Sequence, residues 1–195
     1  MGDRWLQHVN VKFPAAAASA GAVDLALAIP VFHRWIQEQA LPGLLIDVAD
    51  YRHVPEGPGV VLVAHEAIYG LDLGGGRLGL LYNRRTRLDA APAEALPQAF
   101  HAALEACRKL EQEPEFGGAL SFEGGACEVV VNDRALAPND AATGTRLRAE
   151  LEPLLDRLWG AGSYTVEPLG ESRDRLGLSA RSSAAHTTAD LIERL

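Results

Sequence analysis

The side chains best suited to chemistry crowd into one stretch of the chain. Residues 44–83 carry Asp47, Tyr51, His53, His65, Glu66 and Tyr69, with Asp72, Tyr82 and Asn83 close behind. Histidine exchanges a proton near neutral pH, a carboxylate can orient it, and a tyrosine hydroxyl can donate to a developing negative charge. Such a set could form a polar pocket with His53 or His65 as base, Glu66 or Asp47 as partner and Tyr51 as donor. A metal would require His53, His65 and a carboxylate together. Their spacing matches no compact ligand motif, so no metal and no cofactor are expected. A plainer interpretation makes these residues the exposed or hydrogen-bonded positions of a sheet, with Asp50 to His53 marking a strand end.

Other reactive groups are more isolated. Arg84, Arg85 and Arg87 form a basic cluster that could contact an anion or a partner, although a solvated turn beside Asp89 accounts for it more simply. Cys107 falls on an apolar helical stripe, where a buried thiol is expected rather than a nucleophile. No phosphate-binding glycine loop, zinc-protease motif or nucleophile elbow occurs. Gly74–Gly76 lies between two predicted strands instead of opening a helix, which makes it a turn.

The elements that must position these residues follow from periodicity. Val9, Val11 and Phe13 alternate with polar neighbours, the mark of a strand with one buried face. Helices are predicted at about 24–40, 92–112 and 141–159. Their apolar stripes are Leu25/Ile29/Phe32/Ile36, Leu96/Phe100/Leu104/Cys107 and Leu147/Leu151/Leu155/Leu158. Pro30 should start or kink the first, Pro97 should sit near the start of the second, and Pro153 should kink or split the third. Residues 44–83 read as a three-stranded antiparallel meander with runs at 44–54, 60–73 and 77–83. If Val54 faces Val60, His53 and His65 share one face of it. Gly124-Gly125 between β-rich runs predicts a hairpin that sets Phe122 opposite Cys127. A last strand pair is expected at 163–169 and 175–181.

Three times, then, a helix precedes a pair of strands. The expected fold is α+β: a two-layer sandwich of a mostly antiparallel sheet built from hairpins, with three main helices on one face. Residues 1–181 read as a single domain, the 84–92 region being the best place to divide it. A C-terminal tail, 182–195, can form only a short helix at TTADLIERL.

Composition narrows the function classes. The 26 acidic residues exceed the 18 basic ones, a net charge of −8, which argues against nucleic acid and anionic membranes as partners. Sixteen of those basic residues are Arg, and coding bias explains this more simply than function. Two cysteines make no disulfide framework, the first 13 residues lack a signal peptide's apolar centre, and Leu6 spoils a myristoylation motif at Met1-Gly2. The longest apolar stretch, 14–32, is interrupted by Asp24 and Pro30 and is a poor membrane span. A cytoplasmic location is expected.

The runs IPVFHRWIQ (29–37), LLIDVADYRHVPEGPGVVLVAHEA (44–67), LGLLYNRR (78–85) and NDRALAP (132–138) resemble those of an uncharacterised bacterial protein family. The resemblance spans most of the chain and implies a bacterial, cytoplasmic protein; it implies no activity, ligand or fold. With no assembled catalytic set and a sheet edge to protect, the leading expectation is a non-enzymatic module acting through a protein partner or homo-oligomer. The alternative is a small-molecule-binding or hydrolytic protein with its pocket on the 44–83 meander.

Overall fold

The expected strand at Val9–Pro14 (β1) forms, and it lies inside an eight-stranded sheet rather than at its margin. A computed structural model of the chain describes residues 5–19, 21–87 and 92–195. The expectations about the Met1-Gly2 motif and Asp89 fall outside the described residues. The remaining strands are β2 (Leu45–Tyr51), β3 (Gly59–Ala64), β4 (Ala67–Asp72), β5 (Gly79–Arg84), β6 (Ala126–Val131), β7 (Tyr164–Pro168) and β8 (Gly177–Ser182). They run in the order β2-β3-β4-β5-β1-β6-β8-β7, and every pairing is antiparallel.

Residues 44–83 do lie side by side, but as four strands, not three. The run 60–73 bends at His65-Glu66 into the β3–β4 hairpin. There the His65 N–H donates to Leu44 O, and Glu66 O accepts from the Arg85 and Thr86 N–H groups. Tyr51 faces Gly59 and Asp50 faces Val60, so β2 sits four residues from the anticipated register. The hairpin expected at Gly124-Gly125 is absent. Phe122 bridges to Ala15 at the end of β1, while β6 pairs with β1 and β8.

Side-chain alternation gives the sheet two different faces. The row Val48–Leu62–Tyr69–Tyr82–Val11–Val129–Leu178 crosses seven strands, and only Val48 is not fully buried. Three helices pack on this face: α1 (Ala28–Glu38) on β2 and β3, α2 (Pro92–Gln112) on β1 and β5, and α3 (Ala141–Trp159) on β7 and β8. Phe13 meets Phe100 edge-on at 5.7 Å between ring centres. A 3-10 turn at Leu25–Leu27 precedes α1, so Pro30 sits in the helix's first turn, where its missing N–H costs nothing. Pro97 and Pro153 lie inside α2 and α3, which both run on through them. The short α4 (Thr188–Arg194) carries a capping box from Thr187 and Asp190 and packs on α2 and α3, burying Leu191.

Among the described residues, no helix packs on the opposite face. Its central rows are Val61–Gly70–Leu81–Lys12–Glu128 and Val63–Ile68–Asn83–Asn10–Val130. Among the described residues, no helix is long and apolar enough to cross a membrane.

Candidate functional site

The sequence-selected residues divide between two places. Glu66 and Tyr69 converge at one end of the β3–β4 hairpin, on the helix-covered face. With Tyr82, Gln98 and His101 they line a cavity of about 320 Å³ closed on one side by Pro42 and Gly43. The two tyrosines are cross-strand partners whose rings meet at 5.4 Å. Gln98, on the first turns of α2, hydrogen-bonds the Tyr82 hydroxyl at 3.2 Å and accepts from Arg84 Nη1 at 3.0 Å.

Arg84 is buried here. Its Nε donates to Thr86 O at 3.1 Å, and its Nη2 stands 3.9 Å from the Glu66 carboxylate. Burial raises the Tyr69 hydroxyl well above its usual pKa and keeps it protonated as a donor. The cavity therefore offers a neutral hydroxyl, an amide and a carboxylate around small apolar walls. Within the hydrogen bonds of its described residues, no nucleophile is paired with a base.

His65 is exposed on the hairpin turn itself. Arg85 and Arg87 are exposed, unlike Arg84, and Arg85 Nη1 donates to Ala64 O at 3.2 Å. Among the described residues, no cluster of three or more histidine, cysteine, aspartate or glutamate side chains could hold a metal.

Asp47, Tyr51 and His53 lie elsewhere, on and just beyond β2, which is, like β7, an edge strand of the sheet. Tyr51 and His53 stack at 6.4 Å, and His53 stands at the opposite end of β3 from His65. Arg52 forms an ion pair with Asp50 at 2.7 Å and holds that carboxyl down at about 2. Among the described residues, four of the five exposed large hydrophobic side chains belong to this segment: Leu44 (60% exposed), Ile46 (49%), Tyr51 (43%) and Val54 (37%). A bulge between Leu45 and Asp47 breaks the register with β3 and leaves Ile46 outward.

No family model matches the chain, nor does any curated protein or solved structure.

Gln98 escaped the sequence reading because a polar residue on an amphipathic helix looks solvated. Pro97 beside it, at the crowded start of α2, was the available hint. Tyr82 and Asn83 were visible as reactive types, but nothing in the chain says that the first enters the cavity and the second faces the open side.

Proposed function

We propose that this protein is a non-enzymatic, cytoplasmic module that works by association, using the outer strand β2 to pair with a second copy of itself. One observation carries the reading: among the described residues, Ile46 and Tyr51 on β2, and Leu44 and Val54 just beyond its ends, are four of the five exposed large apolar side chains, and the strand has one unpaired edge. Such an edge is a ready template for strand addition. A two-fold antiparallel pairing centred on Val48 would set Ile46 opposite Asp50 and Asp47 opposite Ala49, so that no two acidic residues face each other. Shifting the centre to the Val48–Ala49 bond would oppose Asp47 to Asp50 and disfavour that register. The two free, buried cysteines suit a reducing compartment.

Native mass spectrometry tests this. The wild-type chain should be dimeric at micromolar concentration, and Ile46→Lys should be monomeric while keeping its circular-dichroism spectrum. A wild-type chain that stays monomeric ends the proposal.

The cavity beneath Glu66 and Tyr69 supports a second reading, a small-molecule site. Its test is whether Glu66→Gln or Tyr69→Phe abolishes binding of any compound that co-purifies with the native protein.

A further inference from the structure

The uncovered sheet face carries a chain of side-chain amides whose direction is fixed by an arginine. Arg175, in the β7–β8 connection, donates from Nη1 to Asn132 Oδ1. A guanidinium has no acceptor, so the Asn132 oxygen must face Arg175. Its amide nitrogen must then face Asn10 and Asn83, and it donates to their Oδ1 atoms at 2.6 and 3.2 Å. Because those two oxygens are occupied, the Nδ2 groups of Asn10 and Asn83 point away from Asn132, and neither donates to a described residue. Asn10 as a whole is 95% buried, but its Nδ2 is not among the fully enclosed polar atoms left without a partner, so solvent or a ligand can reach this free N–H pair.

Asn10 and Arg175 line a cavity of about 570 Å³ on the uncovered sheet face. Its other charges cancel in pairs: Lys12 with Asp72 at 2.5 Å, and Arg77 with Glu128. Arg175 has no carboxylate within ion-pair distance among the described residues. The cavity thus has one uncompensated positive charge and donors without acceptors. Leu81, Val130 and Leu169 give it apolar walls. Site and charge stand out in a chain whose net charge is −8.

We infer that this cavity binds a small organic monoanion, a carboxylate with an apolar body, its head accepting from Asn10 Nδ2 and Arg175 and its body lying on Leu81, Val130 and Leu169. The site is separate from the β2 edge and from the cavity under Glu66.

Titration calorimetry of the full chain with hexanoate, with inorganic phosphate as the head-only probe, tests it. Hexanoate should bind saturably and shift the backbone amide resonances of Asn10, Leu81 and Val130. Arg175→Gln, an exposed change that the fold tolerates, should weaken binding about tenfold or more, as expected for loss of one charge-assisted hydrogen bond. Asn132→Asp should do the same, because a carboxylate there accepts from Asn10 and Asn83 and neutralises Arg175. Arg85→Gln should change nothing. No saturable binding of hexanoate, equal binding by Arg175→Gln, or phosphate binding as tightly as hexanoate would each overturn the inference.

Discussion

Lys12 and Asp72 form a 2.5 Å ion pair although a whole strand, β5, lies between them. The lysine stem crosses β5 above Gly79, which faces Pro14 on one side and Asp72 on the other. A Cβ at Gly79 would lie 2.9 Å from Lys12 Cε and 2.6 Å from the Phe13 carbonyl oxygen. The ammonium also donates to Gly74 O at 2.9 Å, tying the glycine turn after β4 to the sheet. Both side chains are nearly buried, at 6% and 11% exposure, on a face with no helix over it.

Removing one charge from this pair strands the other. Asp72→Ala should destabilise the fold by ~3–5 kcal/mol, whereas Lys12→Met combined with Asp72→Leu should recover most of that loss. Gly79→Ala should also destabilise, since the backbone contact cannot yield. Urea denaturation of the three variants checks this; a double variant as unstable as the single one would show that the pair contributes more than mutual neutralisation.

The two thiols should be inert in the folded protein. Burial raises both Cys107 and Cys127 well above the ordinary thiol range, leaving almost no thiolate at neutral pH. A thiol-specific chromogenic reagent should label neither residue in the native state and both after denaturation. Fast labelling of one cysteine in the native protein would place it in an open pocket.

A further test concerns how α1 is anchored. The Trp35 indole N–H, 2% exposed, donates to Glu113 Oε1 at 2.5 Å, and Arg34 bonds Glu113 and Glu115 at the same point beyond α2. Glu113→Ala leaves the indole without its acceptor. Its expected cost is ~1–3 kcal/mol, read as a lowered denaturation midpoint. Glu115→Ala, which leaves the Trp35 bond intact, should cost less.

How much of this could be read from the chain depends on what each residue type was recruited for. The alternation through β1 and the stripes of α2 and α3 were plain, because burial against one layer imposes a period. The bend at His65-Glu66 was hidden, since it needs neither glycine nor a positive φ and is held by neighbours far away in sequence. Gly124-Gly125 misled for the opposite reason. Those glycines make room for the C-terminal segment: a Cβ at Gly124 would lie 2.4 Å from His186 O, and one at Gly125 would lie 2.8 Å from Ala184 O. Asn10 and Lys12 read as solvent-facing alternates of a strand, and only the sheet's width puts them in its middle, where both are buried. Glu66 and Tyr69 were chosen by type and share a cavity; Asp47, Tyr51 and His53 were chosen alike and lie on another strand, because register lies beyond what residue types can say.

The same C-terminal segment should loosen in acid before the sheet does. His186 stacks on Trp159, and its Nε2 lies 3.0 Å from Ser182 Oγ. Desolvation and the nearby Arg194 lower its pKa from the usual value of about 6.5, with Asp190 opposing them weakly. The unfolded segment therefore binds more protons than the packed one once pH drops below about 6.5. Stability is full above that value and is lost as pH falls towards the folded-state pKa. Asp190 behaves as a second step at lower pH: its capping-box bonds with Thr187 hold its pKa below the usual value of about 3.8, so its contribution disappears as pH falls beneath that. Hydrogen exchange of the α4 amides should accelerate in both ranges while β1 and β5 stay protected. His186→Gln should erase the first step and leave the second. A β-sheet that opens together with α4 below pH 6.5 would show that the helix is not an independent unit.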